Sequence, residues 1–168
     1  MNPLIRNVSV AFLLAALSLG TAQANTNNSA PTVVVDTNPV PQMSQRDLDE
    51  RLWLTALTGN IKAIIDLVEK GANPFISTRH GETAMHAAAA RGHLNIVSYL
   101  IKQGVSVHAR TRTGWTPLHH AARFGHSSVA HFLVKSGASP WVPTSDRKTP
   151  IDMAVDKGDW RTARIMGY

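Results

Sequence analysis

The sequence predicts an all-α repeat solenoid built from helix-turn-helix units. The first reason is self-similarity: the stretch 114–125 matches the stretch 81–92, which lies 33 residues earlier, and 148–158 continues the match in the same register. A fixed period of this length is typical of repeat arrays. Two further observations agree with this prediction, namely glycines at the same spacing and apolar residues at helical spacing.

Two series of glycines predict where the helices end. Within each series the glycines are 33 residues apart; the series are Gly59, Gly92, Gly125 and Gly158, and Gly71, Gly104 and Gly137. Chain reversals after helices often place a residue in the left-handed backbone conformation, which suits glycine best because it has no Cβ. Each unit is therefore expected to contain two helices, each followed by a reversal.

The starts and the buried faces of the helices follow from the same register. Thr83, Thr116 and Thr149 can cap the first helices with their hydroxyls. Pro117 and Pro150 come next, where a missing N–H costs nothing. Apolar residues at helical spacing predict the core. They are Leu52, Met85, Leu118 and Ile151 in the first helices, and Ile64, Leu67, Ile96, Leu100, Val129 and Leu133 in the second helices.

The stretch Thr116-Pro117-Leu118-His119-His120-Ala121-Ala122, with Gly125 and the later pair Gly137-Ala138, resembles the ankyrin repeat. The resemblance covers roughly residues 45–168. It implies an ankyrin-repeat stack of helix-turn-helix units joined by β-hairpin-like loops. The repeats are expected at about 45–74, 75–109, 110–142 and 143–168.

The two outer repeats depart from the pattern. Glu50-Arg51-Leu52-Trp53 takes the place of Thr-Pro-Leu-His in the first, and Ser44, Asp47 and Asp49 are expected to form a solvated outer end with Glu50. The last repeat has Arg147 in place of the hairpin glycine and Asp152 in place of histidine. Terminal repeats differ because one side faces water. The array is therefore expected to have two caps around two full units.

Residues 1–24 have the layout of a secretory signal peptide: Arg6, an apolar run over 8–19, and Ala22-Gln23-Ala24 as the cleavage site. A membrane anchor is the alternative, but the apolar run is too short to span a bilayer comfortably. Residues 25–44 are predicted to be a flexible linker, with a short strand at 32–35 as the alternative. Exported bacterial ankyrin proteins with such leaders imply a periplasmic location, and full secretion stays open.

The composition argues against catalysis and cofactors. Cleavage after Ala24 leaves 144 residues and removes Arg6, so the net charge falls from +6 to +5. Cysteine is absent, which excludes disulfides. No nucleophile elbow or phosphate-binding glycine loop is present. Eight histidines occur, but positions one repeat apart are expected about 10 Å apart, too far for shared metal ligation. We expect no enzyme activity, no metal and no cofactor.

Basic residues concentrate in the central repeats. Seven lie between Thr78 and Pro143, against Glu82 as the single acidic residue. The ankyrin resemblance implies a concave face made of hairpin tips and first helices, on which Trp115 and Phe124 are expected to be exposed. Arginine and aromatic residues are enriched at protein interfaces. The predicted partner-binding residues are Arg79, His80, Glu82, Arg91, Arg110, Arg112, Thr113, Trp115, Arg123, Phe124 and Lys148.

These residues predict binding to a protein with an acidic surface, by a monomer. Two roles fit equally: a scaffold or accessory factor for a periplasmic enzyme, and an inhibitor or immunity protein against a toxic effector. The alternative is polyanion or membrane-surface binding through the basic face, which the high isoelectric point of about 10.2 favours weakly. No nucleic-acid-binding motif is present, so nucleic acid is not an expected partner.

Overall fold

The computed structural model describes residues 43–168. The predicted signal peptide (1–24) and residues 25–42 of the predicted linker lie outside the described residues. The described part contains eight α-helices: α1 (Gln45–Thr58), α2 (Ile61–Glu69), α3 (Ala84–Arg91), α4 (Leu94–Lys102), α5 (Pro117–Phe124), α6 (Ser127–Lys135), α7 (Pro150–Asp156) and α8 (Trp160–Met166). Its β-structure is a single isolated bridge between Ser77 and Thr83. The predicted all-α repeat fold is confirmed.

The helices pack in two layers. The first helices of the four pairs, α1, α3, α5 and α7, contact one another in order, and each pairs with the second helix that follows it. Small buried residues line the contacts between first helices, among them Ala56, Ala88, Ala121 and Ala154. Leu52, Met85, Leu118 and Ile151, one in each first helix, are buried as predicted.

The helix ends also follow the sequence. Thr83, Thr116 and Thr149 are the N-caps of α3, α5 and α7. Every glycine of the two 33-residue series has a positive φ. Arg147 adopts a φ of 60° in the turn where the two preceding repeats have Gly81 and Gly114. The last hairpin therefore keeps the shape of the others although its residue carries a side chain that disfavours this conformation.

The prediction that Asp49 belongs to a solvated outer end of α1 is wrong, because Asp49 is buried. Its Oδ1 accepts hydrogen bonds from the Asn73 amide at 2.7 Å and from Gln45 Nε2 at 2.9 Å. The carboxylate is covered because the loop after α2 folds back against the first turns of α1. Asp49 thus ties the two ends of the first repeat together, while Asp47 and Glu50 are exposed as expected.

Two columns of histidines join neighbouring repeats. His86 Nε2 donates to the Trp115 carbonyl at 3.2 Å, and His119 Nε2 donates to the Lys148 carbonyl at 3.3 Å. In the second column, His93 Nε2 donates to the Leu57 carbonyl at 3.2 Å, and His126 Nε2 donates to the Ala90 carbonyl at 3.0 Å. These four histidines therefore stabilise the contacts between neighbouring repeats by hydrogen bonding.

We expect Gly92→Ala to destabilise the fold more than Gly137→Ala. Both glycines have left-handed backbones, with φ of 77° and 96°, so alanine costs about 1–2 kcal/mol at either position. A Cβ at Gly92 would lie 2.6 Å from His126 Nδ1, whereas a Cβ at Gly137 meets nothing within 4 Å. Displacing His126 breaks its bond to Ala90, which adds roughly 1–3 kcal/mol. Urea unfolding of both variants measures the difference, and equal losses would contradict it.

Candidate partner-binding groove

A groove of about 550 Å³ runs across the first three repeats on the side of the first helices and the hairpins. We call it the central groove. Residues of α1, α3 and α5 and of two hairpins line it. They are Trp53, Leu57, Glu82, Ala90, Arg91, Thr111, Thr113, Trp115, His120, Arg123 and Phe124.

Trp115 is fixed in place by its neighbours. Its ring centroid lies 6.0 Å from that of His119 and 5.0 Å from that of His120, and the Arg123 guanidinium lies 5.7 Å above its ring. The expected exposure of Trp115 is therefore corrected: the ring is partly buried against the core. Phe124 is 52% exposed, as expected. Trp115 is thus packed against its neighbours, whereas Phe124 is open to solvent.

The charges of the groove are mostly uncompensated. Arg91 and Arg123 are exposed, and neither makes an ion pair with any residue of the described part of the chain, where the ion pairs are Lys70–Asp66 and Lys148–Asp156. Glu82 is the one acidic residue among those lining the groove. Two cations against one carboxylate leave a surplus of one positive charge next to aromatic surface. Such a surface is complementary to an acidic partner.

Six of the predicted binding residues line the central groove: Glu82, Arg91, Thr113, Trp115, Arg123 and Phe124. Lys148 lies in an adjoining pocket of about 330 Å³, which Trp115 and Arg123 also line. Its Nζ is 2.8 Å from Asp156 Oδ2, so its charge is already paired in the free protein. This exposed pair is a weak one. The central groove therefore adjoins the pocket of Lys148 through Trp115 and Arg123.

The structure places the other four predicted residues outside the central groove. Arg79 lines a separate pocket beside α1. His80 and Arg112 are exposed and are joined through their backbones, since the Arg112 amide donates to the His80 carbonyl at 2.9 Å. The Arg110 guanidinium donates to the Pro143 carbonyl at 2.6 Å and lines a different cavity with Val107 and Val142. Arg110 thus links two successive loops.

Sequence reasoning missed five groove residues: Trp53, Leu57, Ala90, Thr111 and His120. Two of them carry a signal in the 33-residue register. Trp53 occupies the column of His86 and His119, and His120 occupies the column of Ala87 and Met153. The imidazole of His120 stands out because the other repeats have Leu54, Ala87 and Met153 in its column. The indole of Trp53 stands out because the two central repeats have histidine in its column.

The buried histidines are neutral at pH 7. Burial lowers the pKa of His86, His119 and His120 from 6.5 to about 4. The rings of His86 and His120, which occupy different columns of the repeat, meet edge to face with their centroids 5.6 Å apart. In residues 43–168 no three His, Asp or Glu side chains are grouped as a metal site.

Comparison with known families agrees with this geometry. The family model described as ankyrin repeats (3 copies) matches residues 52–144, more than half of the chain. The pair α7–α8 lies beyond the matched range and continues the stack. No curated protein matches the sequence. Among the described helices none has the length and apolarity to cross a bilayer. Ankyrin repeats are typically non-enzymatic and generally mediate protein–protein interaction. The chain belongs to the ankyrin-repeat family.

Proposed function

We propose that the protein is an exported, periplasmic interaction module whose central groove docks a partner protein with an acidic surface. The observation that carries the proposal is the position of Arg91 and Arg123, exposed and without ion pairs, beside Trp115 and Phe124. The export step rests on the signal-peptide layout of residues 1–24. The partner-binding role is that of ankyrin repeats in general.

The two kinds of side chain act at different stages of docking. The arginines attract an acidic partner over a distance of about one Debye length, which raises the association rate. The aromatic rings bury apolar surface once contact is made, which slows release. Trp115 needs little ordering on binding because its ring is already packed against His119 and His120. The arginines therefore govern encounter and the rings govern residence time.

Two biological roles use these same contacts. The protein acts either as a scaffold or accessory factor for a periplasmic enzyme or as an inhibitor of a toxic effector. In the first case binding preserves or raises the activity of the captured partner. In the second case binding abolishes that activity. An activity assay of the captured partner, with and without the protein, separates the two.

We expect Arg91→Gln/Arg123→Gln to weaken partner capture about tenfold or more, since both exposed groove charges are lost. The matched control is Lys102→Gln/Lys135→Gln, which removes the same charge from the ends of α4 and α6, outside the groove. The measurement is affinity capture of periplasmic proteins by the chain from Asn25 onward, followed by titration with the captured protein. The control should bind like the unmodified protein.

Equal losses of partner affinity in the two double variants would contradict docking at the central groove. They would favour the polyanion alternative, because diffuse attraction depends on net charge rather than on the position of the charges. Salt separates the two readings further. A polyanion is released steeply as salt rises, whereas a docked protein held by Trp115 and Phe124 keeps much of its affinity.

A further inference from the structure

Two side-chain polar atoms of residues 43–168 are buried without a hydrogen-bond partner in that part of the chain: Trp53 Nε1 and His120 Nε2. A buried donor without an acceptor destabilises a fold, and native proteins contain few of them. Both side chains line the central groove. The two orphaned atoms are therefore associated with one surface feature rather than scattered over the stack.

The hydrogen bonds that hold the stack together use neither Trp53 Nε1 nor His120 Nε2. His86 and His119, which share the column of Trp53, each donate to a carbonyl of the next repeat. Trp53 makes no such bond, and His120 stands where the neighbouring repeats have Ala87 and Met153. Local departures that cost stability are expected at functional sites. The rings themselves pack, Trp53 against the core and His120 against Trp115, so it is their unpartnered nitrogen atoms that indicate a role in binding.

The chemistry of the groove limits what can occupy it. The indole Nε1 of Trp53 only donates, and the neutral ring of His120 has one N–H. Arg91 and Arg123 add guanidinium donors at the same groove. The occupant must therefore offer several acceptor lone pairs and a negative charge, which a carboxylate does. Leu57, Trp115 and Phe124 supply apolar surface beside these donors.

We propose that the central groove binds an acidic side chain of the partner, presented next to an apolar one, and that Trp53 and His120 donate hydrogen bonds to its carboxylate. The inference rests on the proposed function and names the chemistry of the partner. Because both orphaned atoms are covered in the free protein, binding requires a rotation of one or both rings. Glu82 lines the same groove and disfavours a second carboxylate there, so one acidic residue is accommodated.

Indole N–H resonances of the four tryptophans test the proposal. The probes are acetyl-Leu-Glu-Leu-amide and its isostere acetyl-Leu-Gln-Leu-amide, each titrated to 10 mM into the ¹⁵N-labelled chain from Asn25 onward, so that weak binding is detected. We expect the glutamate peptide to bind at least tenfold more tightly and to shift Trp53 and Trp115. Trp141 and Trp160, exposed and outside the groove, should not move.

Two variants assign the donors. Trp53→Phe removes the indole N–H and keeps a ring, and His120→Met places the residue that the last repeat has in this column. Each should lower the preference for glutamate over glutamine severalfold, while Trp160→Phe should leave it unchanged. Equal binding of the two peptides, or an undiminished preference in both groove variants, would overturn the proposal. If the two peptides bind equally but Arg91→Gln/Arg123→Gln still loses partner capture selectively, this inference is wrong and the proposed function stands.

Discussion

The protein should lose stability between pH 6.5 and pH 4. The pKa values of His86, His119 and His120 are lowered from 6.5 to about 4 by burial. Between these values the unfolded chain binds more protons than the folded one, so the free energy of unfolding falls as the pH falls. The contribution of the neutral histidines to the free energy of unfolding is fully present above pH 6.5. For a single histidine, lowering the pKa from 6.5 to about 4 corresponds to about 3 kcal/mol. The three contributions overlap, because part of the lowering at His86 and His120 comes from the charge that a neighbouring histidine would carry, so the total is smaller than their sum.

Urea unfolding at pH 7.5, 6, 5 and 4 measures this effect. His120→Met removes one of the three histidines and should make the decline shallower. It leaves the inter-repeat bonds of His86 and His119 intact. A free energy of unfolding that is the same at pH 7.5 and pH 4.5 would show that these histidines are not held neutral by the fold.

Leu118→Ala should lower the free energy of unfolding by about 2–5 kcal/mol. The Leu118 side chain is 0% exposed. It lies in α5, the first helix of the third repeat, and α3 and α7 pack on either side of that helix. Removing its side chain leaves a cavity that the neighbouring helices cannot close without breaking their own contacts. Chemical denaturation at pH 7.5 gives the loss.

The control for this variant is Leu94→Ala, which makes the same chemical change at a residue that is 37% exposed at the start of α4. Its loss should be well below that of Leu118→Ala, because less apolar surface leaves contact with the core. Similar losses at the two positions would mean that α5 is not the centre of the packed stack.

Local signals in the sequence account for most of the fold. Threonine caps, glycines of positive φ and apolar residues at helical spacing act within one turn or one helix, so the register alone locates them. Arg147 shows the limit of this approach. The sequence marks it as a departure, but only the structure shows that the residue takes the left-handed conformation of the missing glycine, with a φ of 60°.

The candidate site was predicted less completely. Charge and composition indicated Arg91, Arg123 and Phe124, which do line the central groove. They also indicated Arg110, whose guanidinium instead reaches the Pro143 carbonyl. The orientation of the Arg110 side chain depends on an acceptor that lies 33 residues away in the sequence. The direction of Arg110 therefore had no local signal.

Sequence alone identifies this chain as a stack of four helical hairpins, because each repeat carries its own caps, turns and apolar stripe. Which side chains share the central groove, and which polar atoms lack partners there, depends on how the repeats pack against one another. Trp53 and His120 lie 67 positions apart in the chain and line one cavity because successive repeats stack side by side. Burial and the lack of a hydrogen-bond partner are properties of that packing, and no single repeat contains them.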